Sequence, residues 1–442
     1  MEIQKWTKHC IYAIPSCVAD LNKKAYSPQT VSFGPYHYMK NHLVAMEEHK
    51  HRALVHFLRR CNGKPLELLI ESMAKVEEDL KDSYKPFDDD RWKNKSHSFL
   101  KMMILDGCFT LEVLRFADSD DNGGDYADND PVFSGHGRLH VMPYIRRDML
   151  MLENQIPMAV LEILLEFDGN NNQDPEFLNK LILKFLCAHI PIHKSFGKCL
   201  HILDLFRKSL LQHEPTHPTI IPKQIIASTK LQQEDDELII PSARELQESG
   251  IVFQPSKSHS LKDVSFDGAA GILRIPSIVV DDFTDTTSFN LIAFERMHVG
   301  AGNEVSSFVF FMDNIIDNEV DVVILKQKGI VQNALGSDKA VAKLFNSLSR
   351  DLAVAREGGL DIVQVSVCRY CKTPWNKWRA DLIETYFRNP WAIVSLAAAI
   401  FLFALTVVQT MYTINPFNHD ENSNPSPPPR PPFFPRLPRH HL

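Results

Sequence analysis

The sequence predicts a mainly α-helical globular body with a small β element, followed by one C-terminal transmembrane helix. Three observations carry this. Apolar residues recur at three- and four-residue steps through long stretches of the first half. No βαβ alternation and no 20–50-residue repeat is visible. Residues 391–414, WAIVSLAAAIFLFALTVVQTMYTI, run for 24 positions without a charge.

Residues 1–30 read as an irregular entry punctuated by Pro15 and Pro28. VSFGPYHYM (31–39) reads as a turn or extended segment around Gly34-Pro35. From about Asn41 the pattern is helical, with Leu43, Met46, His49, Ala53, His56 and Phe57 on one face. Gly63 and Pro65 close that helix. A second spans Leu66 to Tyr84 through Leu69, Met73, Val76 and Leu80, and a third spans about Ser96 to Phe116. ADSDDNGGDYADND (117–130) reads as a solvated acidic loop. It lacks the ligand register and terminal Glu of a calcium-binding EF-hand.

Residues 140–167 return to helix, with Asp148 suited to cap a start and Pro157 to a first turn. Amphipathic helices follow over 177–186 and 201–211, then a long polar loop over 212–240. Ser242 caps a short helix. GIVFQ and ILRIPSIVV are β-branched runs suited to strands. SFNLIAFERMH, SSFVFFMDNIIDN and KAVAKLFNSLSRDLAVA read as helices. The body is thus residues 1–370.

Residues 371–390 form a juxtamembrane segment. Trp375, Trp378, Leu382 and Tyr386 share one helical face, beside Lys377, Arg379 and Arg388. That is the pattern of a helix lying among lipid headgroups. The membrane span at 391–414 exceeds the roughly 20 residues needed for a hydrocarbon core of about 30 Å. Trp391 and Tyr412 mark its interfaces. Lys372, Lys377, Arg379 and Arg388 precede it, whereas only Arg430 lies in the twenty residues after it. This charge bias predicts a cytosolic body, in a plasma membrane or endomembrane protein that contacts lipid through 391–414. No secretory h-region is visible at the N-terminus. The tail, 415–442, is Pro-rich and reads as an extended stub.

The net charge of −7 argues against non-specific nucleic-acid binding, which needs a basic surface. Eight scattered cysteines do not form a small-protein disulfide framework. No GxSxG, HExxH, P-loop or GxGxxG is present, and no cofactor is implied. Ser134-Gly135-His136-Gly137 is not a nucleophile motif. Cys368-Arg369-Tyr370-Cys371 is a CxxC without a second pair. Cys187, His189, His193, Cys199 and His201 are a weak metal candidate, since Pro191 separates the histidines. His42, His49 and His56 form a stripe rather than a tetrahedral set.

Polar residues inside apolar runs stand out: Asp106 in MMILDGCF, Glu153, Asn154 and Gln155 in MLMLENQIPMAV, and Glu295 after NLIAF. One reading is a structural polar network, with Arg146, Arg147 and Arg296 as candidate counter-ions. The other is an enzyme, hydrolase-like or metal-dependent, using Asp106, Asp148, Glu153 and Glu295 as acid and base.

The same segments carry a resemblance. AYSPQTVSFGPYHY (25–38), MMILDGCFTLEVL (102–114), RDMLMLENQIPMAVL (147–161), IPSARELQESGIVF (240–253), LRIPSIVVDDFT (273–284), NLIAFERMH (290–298) and YFRNPWAIVSLAAAI (386–400) stand in one order along the chain. The chain resembles the plant domain-of-unknown-function family 247, also called UPF0481 proteins. It departs at Lys81-Asp82-Ser83-Tyr84, where an arginine and a Cys-Tyr pair are common, at Phe33 for a usual Ile, and at Arg296 for a usual Gln. The resemblance implies a mostly helical fold with a C-terminal anchor and no established activity. Some grass members are associated with self-incompatibility as pollen-side determinants. That implies a recognition or signalling role for the class, with a protein partner. A recognition determinant that displays its body outside the cell would reverse the topology.

Overall fold

The computed structural model describes residues 8–20, 22–87, 92, 96–119, 125–169, 174–187, 195–212, 240–350, 352, 359–374 and 390–414. The chain divides into Met1–Trp378 and Arg379–Leu442.

The first unit is organised by the helix whose sequence is apolar on nearly every side. Short α1 (Ser16–Ala19) precedes α2 (Val44–Arg60), α3 (Leu66–Ala74), α4 (Glu77–Asp82) and α5 (Ser96–Asp118). A helix apolar all round must be enclosed. α5 is packed against α2, α3, α8 (Met158–Asp168) and α9 (Phe177–Leu186). Gly107 lets α8 come close: a Cβ there would lie 2.4 Å from Leu164 Cδ1 and 2.8 Å from Val160 Cγ1. Between α5 and α8 lie α6 (Gly135–His140) and α7 (Met142–Asp148).

Beyond α9 come α10 (Ile202–Leu210), α11 (Ala243–Glu248), α12 (Thr284–Met297), α13 (Glu304–Ile315), α14 (Glu319–Gln327), α15 (Asp338–Leu348) and α16 (Gly359–Lys372). Several starts are written in the sequence as caps. Ser242 with Glu245 forms a capping box on α11, and Asn318 with Asp321 forms one on α14.

The β content is small. β1 (Ile11–Tyr12) pairs in parallel with β2 (Tyr84–Lys85). β3 (Val252–Pro255), β4 (Ser265–Asp267) and β5 (Ile272–Ile275) form a sheet of order β3-β5-β4, parallel for β3–β5 and antiparallel for β4–β5. β6 (Ile278–Val280) pairs in parallel with β7 (Val331–Asn333). The fold is therefore mainly α with short strands, in agreement with the sequence.

Two predicted helices are broken. The one over 66–84 stops at Ala74, restarts at Glu77, and yields Tyr84–Lys85 to a strand. The reason is long-range: Ser83 O accepts from Cys10 N and Ile11 N, so the N-terminal segment captures this backbone. The one over 140–167 opens at 149–157. There Gln155 Nε2 donates to Met149 O and Met151 O, and Asn154 Nδ2 to Asp148 O, which competes with the helical ladder. Asp148 consequently ends α7 rather than capping a start.

In the second unit, α17 (Pro390–Ile414) contains a stretch, Val394–Ile414, with mean hydropathy 2.1. By length and composition it can cross a membrane. Its Thr406, Thr410 and Thr413 hydroxyls donate to carbonyls four residues back. Those hydroxyls are thereby satisfied within the helix, as an apolar solvent demands. Trp391 and Tyr412 are exposed. The predicted juxtamembrane residues Trp375, Trp378, Leu382 and Tyr386, and the tail, lie outside the described residues.

Candidate functional site: a buried polar clamp

Lys50 sits on the apolar face of α2, four residues after Met46, and is fully buried. Its ammonium donates to Asp106 Oδ1 (2.7 Å), Glu47 Oε1 (2.6 Å) and Ser32 O (2.6 Å). Asp106 is buried on α5 and also accepts from Gly34 N at 2.8 Å. Two carboxylates keep Lys50 charged, raising its pKa against the cost of burial. Burial lifts the Asp106 carboxyl to about 6, with Lys50 opposing.

The 149–157 loop grips the same N-terminal segment. Asp148 Oδ2 accepts from Gln29, Thr30 and Val31 N–H at 3.0, 2.6 and 3.1 Å, and Oδ1 accepts from Arg147. Asn154 Oδ1 accepts from Phe33 N (2.7 Å), while Nδ2 donates to Val31 O. Glu153 Oε1 accepts from Ile14 N (2.6 Å), and Oε2 lies 3.1 Å from His37 Nε2. Gln155 Oε1 accepts from Leu203 N. Residues 27–37 lack regular structure apart from turns, so their backbone groups need side-chain partners; these residues supply them.

Glu295 belongs to a separate cluster. Its cation is Arg207 of α10, whose Nε and one terminal nitrogen lie 2.8 and 2.7 Å from Oε1. Val305 N, Ser306 N and Ser306 Oγ donate to the same carboxylate. The arrangement ties α10 to α12 and to the start of α13.

Asp106, Asp148, Glu153, Asn154, Gln155 and Glu295, singled out in the sequence, carry these geometries. A family model described as "Plant protein of unknown function", DUF247, matches residues 11–405. The chain belongs to the DUF247 family. A UPF0481 protein of Arabidopsis thaliana is 30% identical, over 95% of this chain and 90% of its own. A putative UPF0481 protein of the same plant is 23% identical, over 90% of this chain and 89% of its own. No solved structure matches.

In this DUF247 chain each of the four carboxylates weighed as an acid–base set is tied to partners of its own. Asp106 takes Lys50, Asp148 takes Arg147 and three amides, Glu153 takes Ile14 and His37, and Glu295 takes Arg207. Of the three arginines expected as counter-ions, Arg147 pairs with Asp148, but Arg207 rather than Arg296 holds Glu295. Two open hollows of about 440 and 500 Å³ lie elsewhere. One involves Glu319 and Asp338, the other Glu245, Asp313 and Asp317.

The metal candidate is only partly described, since His189 and His193 lie outside the described residues. His201 is committed to structure. Its Nδ1 accepts from Asp204 N as the cap of α10, and its Nε2 meets Cys10 O at 3.0 Å. Both ring nitrogens are occupied, which removes it as a ligand. Cys199 contacts Gly197 O and Lys208 Nζ through sulfur. Burial pushes the Cys187 and Cys199 thiols up to about 11, away from thiolate. No group of three potential ligands assembles among the described residues. Cys368 and Cys371 are buried near the C-terminal end of α16, where the helix dipole does not favour a thiolate.

Burial holds His201 neutral, with a pKa lowered to about 4. A histidine lowered in the folded state stabilises above its unfolded value of about 6.5, and that stability is lost as pH falls toward 4. The loss amounts to about 3 kcal/mol across that window. Asp106, raised in the folded state, works in the opposite sense there. Unfolding of wild type and His201→Asn at pH 7 and pH 4.5 isolates the histidine: the variant should lose less stability on acidification.

Sequence reasoning missed Lys50, Arg207, Asn290 and Asp321. Asn290 bridges Leu152 N, Ala25 O and Thr286 O; Asp321 accepts from Arg244, Asp317 and Asn318 N–H. The available signal was position: Lys50 falls in the i, i+4, i+7 row Met46–Lys50–Ala53 with Phe57 next.

Proposed function

We propose that this protein is a membrane-anchored interaction protein without chemistry of its own. Residues 391–414 cross the bilayer, the body faces the cytosol, and a protein partner binds the body in a recognition or signalling role. One observation supports this most: the carboxylates that an enzyme would need are each bound to their own structural partner and hold backbone in place.

Structural and catalytic carboxylates respond oppositely to isosteric replacement. A group that secures backbone N–H donors destabilises when neutralised. A group held in unfavourable electrostatics for catalysis often stabilises when removed. Asp106→Asn, Asp148→Asn, Glu153→Gln and Glu295→Gln should each lower the unfolding free energy of the full chain in detergent by about 1–3 kcal/mol at pH 7.5. Stabilisation by two or more of them would sink the non-catalytic reading.

A further inference from the structure

α6 is short but firmly seated. Ser134 Oγ accepts from Gly137 N at its start. A Cβ on Gly137 would lie 2.0 Å from Val132 O, so backbone meets backbone there. Arg138 donates to Phe116 O and Ser119 O, each at 3.0 Å, and its guanidinium lies 4.7 Å above the Phe116 ring. One side of α6 is thus fixed to the end of α5.

The other side carries His136 and His140, at i and i+4. Both are exposed, their ring centroids are 4.6 Å apart, and the planes are inclined by 43°. Neither ring hydrogen-bonds another of the described residues. Two imidazoles one turn apart is the spacing by which a helix grips a divalent metal. Imidazole suits Cu²⁺, Ni²⁺ and Zn²⁺, whereas Mg²⁺ and Ca²⁺ require oxygen. Because α6 is already immobilised, little ordering entropy opposes chelation.

We propose that His136 and His140 form a bidentate surface chelate for a borderline divalent cation, tightest for Cu²⁺ and weaker for Zn²⁺. No third His, Cys, Asp or Glu joins them among the described residues. The site shares no residue with the buried clamp.

The test titrates full-length protein in detergent with Cu²⁺, and with Mg²⁺ as control, followed by electron paramagnetic resonance. The chain has 19 histidines, including adjacent His440 and His441, so the readout is the difference from variants. His136→Ala and His140→Ala should each remove one coordinating nitrogen and weaken this site about 100-fold, the loss expected when two linked ligands become one. The double variant should abolish it. His136→Gln and His140→Gln, which retain helix propensity, provide a second set with the same expected losses. Identical Cu²⁺ affinity and nitrogen count in wild type and double variant would overturn the proposal. So would single variants that halve the stoichiometry without loss of affinity, the mark of two independent imidazoles.

Discussion

Lys50→Ala should destabilise the body by about 3–5 kcal/mol. Removing the ammonium leaves Asp106 and Glu47 as neighbouring carboxylates, with Asp106 buried, and strips Ser32 O of its donor. The cost comes from the partners left behind, not from the net worth of the pair. Desolvating an ion pair is expensive, and a well-packed apolar replacement of both members is often neutral or better. Lys50→Met combined with Asp106→Leu should therefore recover much of the loss, although Gly34 N keeps an unsatisfied donor. Chemical denaturation of the four members of this cycle checks the prediction. A Lys50→Ala loss below about 1 kcal/mol would show that Lys50 is not the buried hub described.

Arg207→Ala should have a comparable effect, again about 3–5 kcal/mol. Glu295 would keep two backbone donors and the Ser306 hydroxyl but lose the guanidinium that neutralises it, and Glu304 would lose a contact as well. Lysine is a poor substitute, because the guanidinium holds Glu295 through Nε and a terminal nitrogen that also reaches Glu304, a rigid fork that an ammonium lacks. Arg207→Lys should recover less than half of the loss. Since Arg207 ties α10 to α12 and α13, proteolysis should cut the variant first within the 202–315 region. An Arg207→Ala variant as stable as wild type would refute this linkage.

Much of the helical framework was legible because it is written in local chemistry. Ser242 and Glu245 spell a capping box, and the amphipathic run FLNKLILKFL matches α9 from Phe177 to Leu186. The breaks were not legible, because distant residues make them. Nothing near Ser83 says that Cys10 and Ile11 will hydrogen-bond to it. The role of LENQIP was half visible. Polar residues in an apolar run demand partners, which the sequence shows; that Glu153, Asn154 and Gln155 take the amides of Ile14, Phe33 and Leu203 is a matter of tertiary placement. Arg147 was rightly read as a counter-ion, for Asp148, but the cation of Glu295 was misassigned for the same reason. Arg296 adjoins Glu295 in sequence, yet successive residues on a helix point about 100° apart, so the cation comes from α10. His201 looked like a metal ligand by composition and is a helix cap by geometry.

The central claim, a body held at a membrane by α17 and facing the cytosol, is tested most directly by protease protection in sealed microsomes with a tag on each terminus. The account predicts that the body is digested, that the C-terminal tag survives with a fragment containing residues 391–414, and that the N-terminal tag is lost. A protected body with its N-terminal tag intact, or release of the chain by carbonate wash, would contradict it.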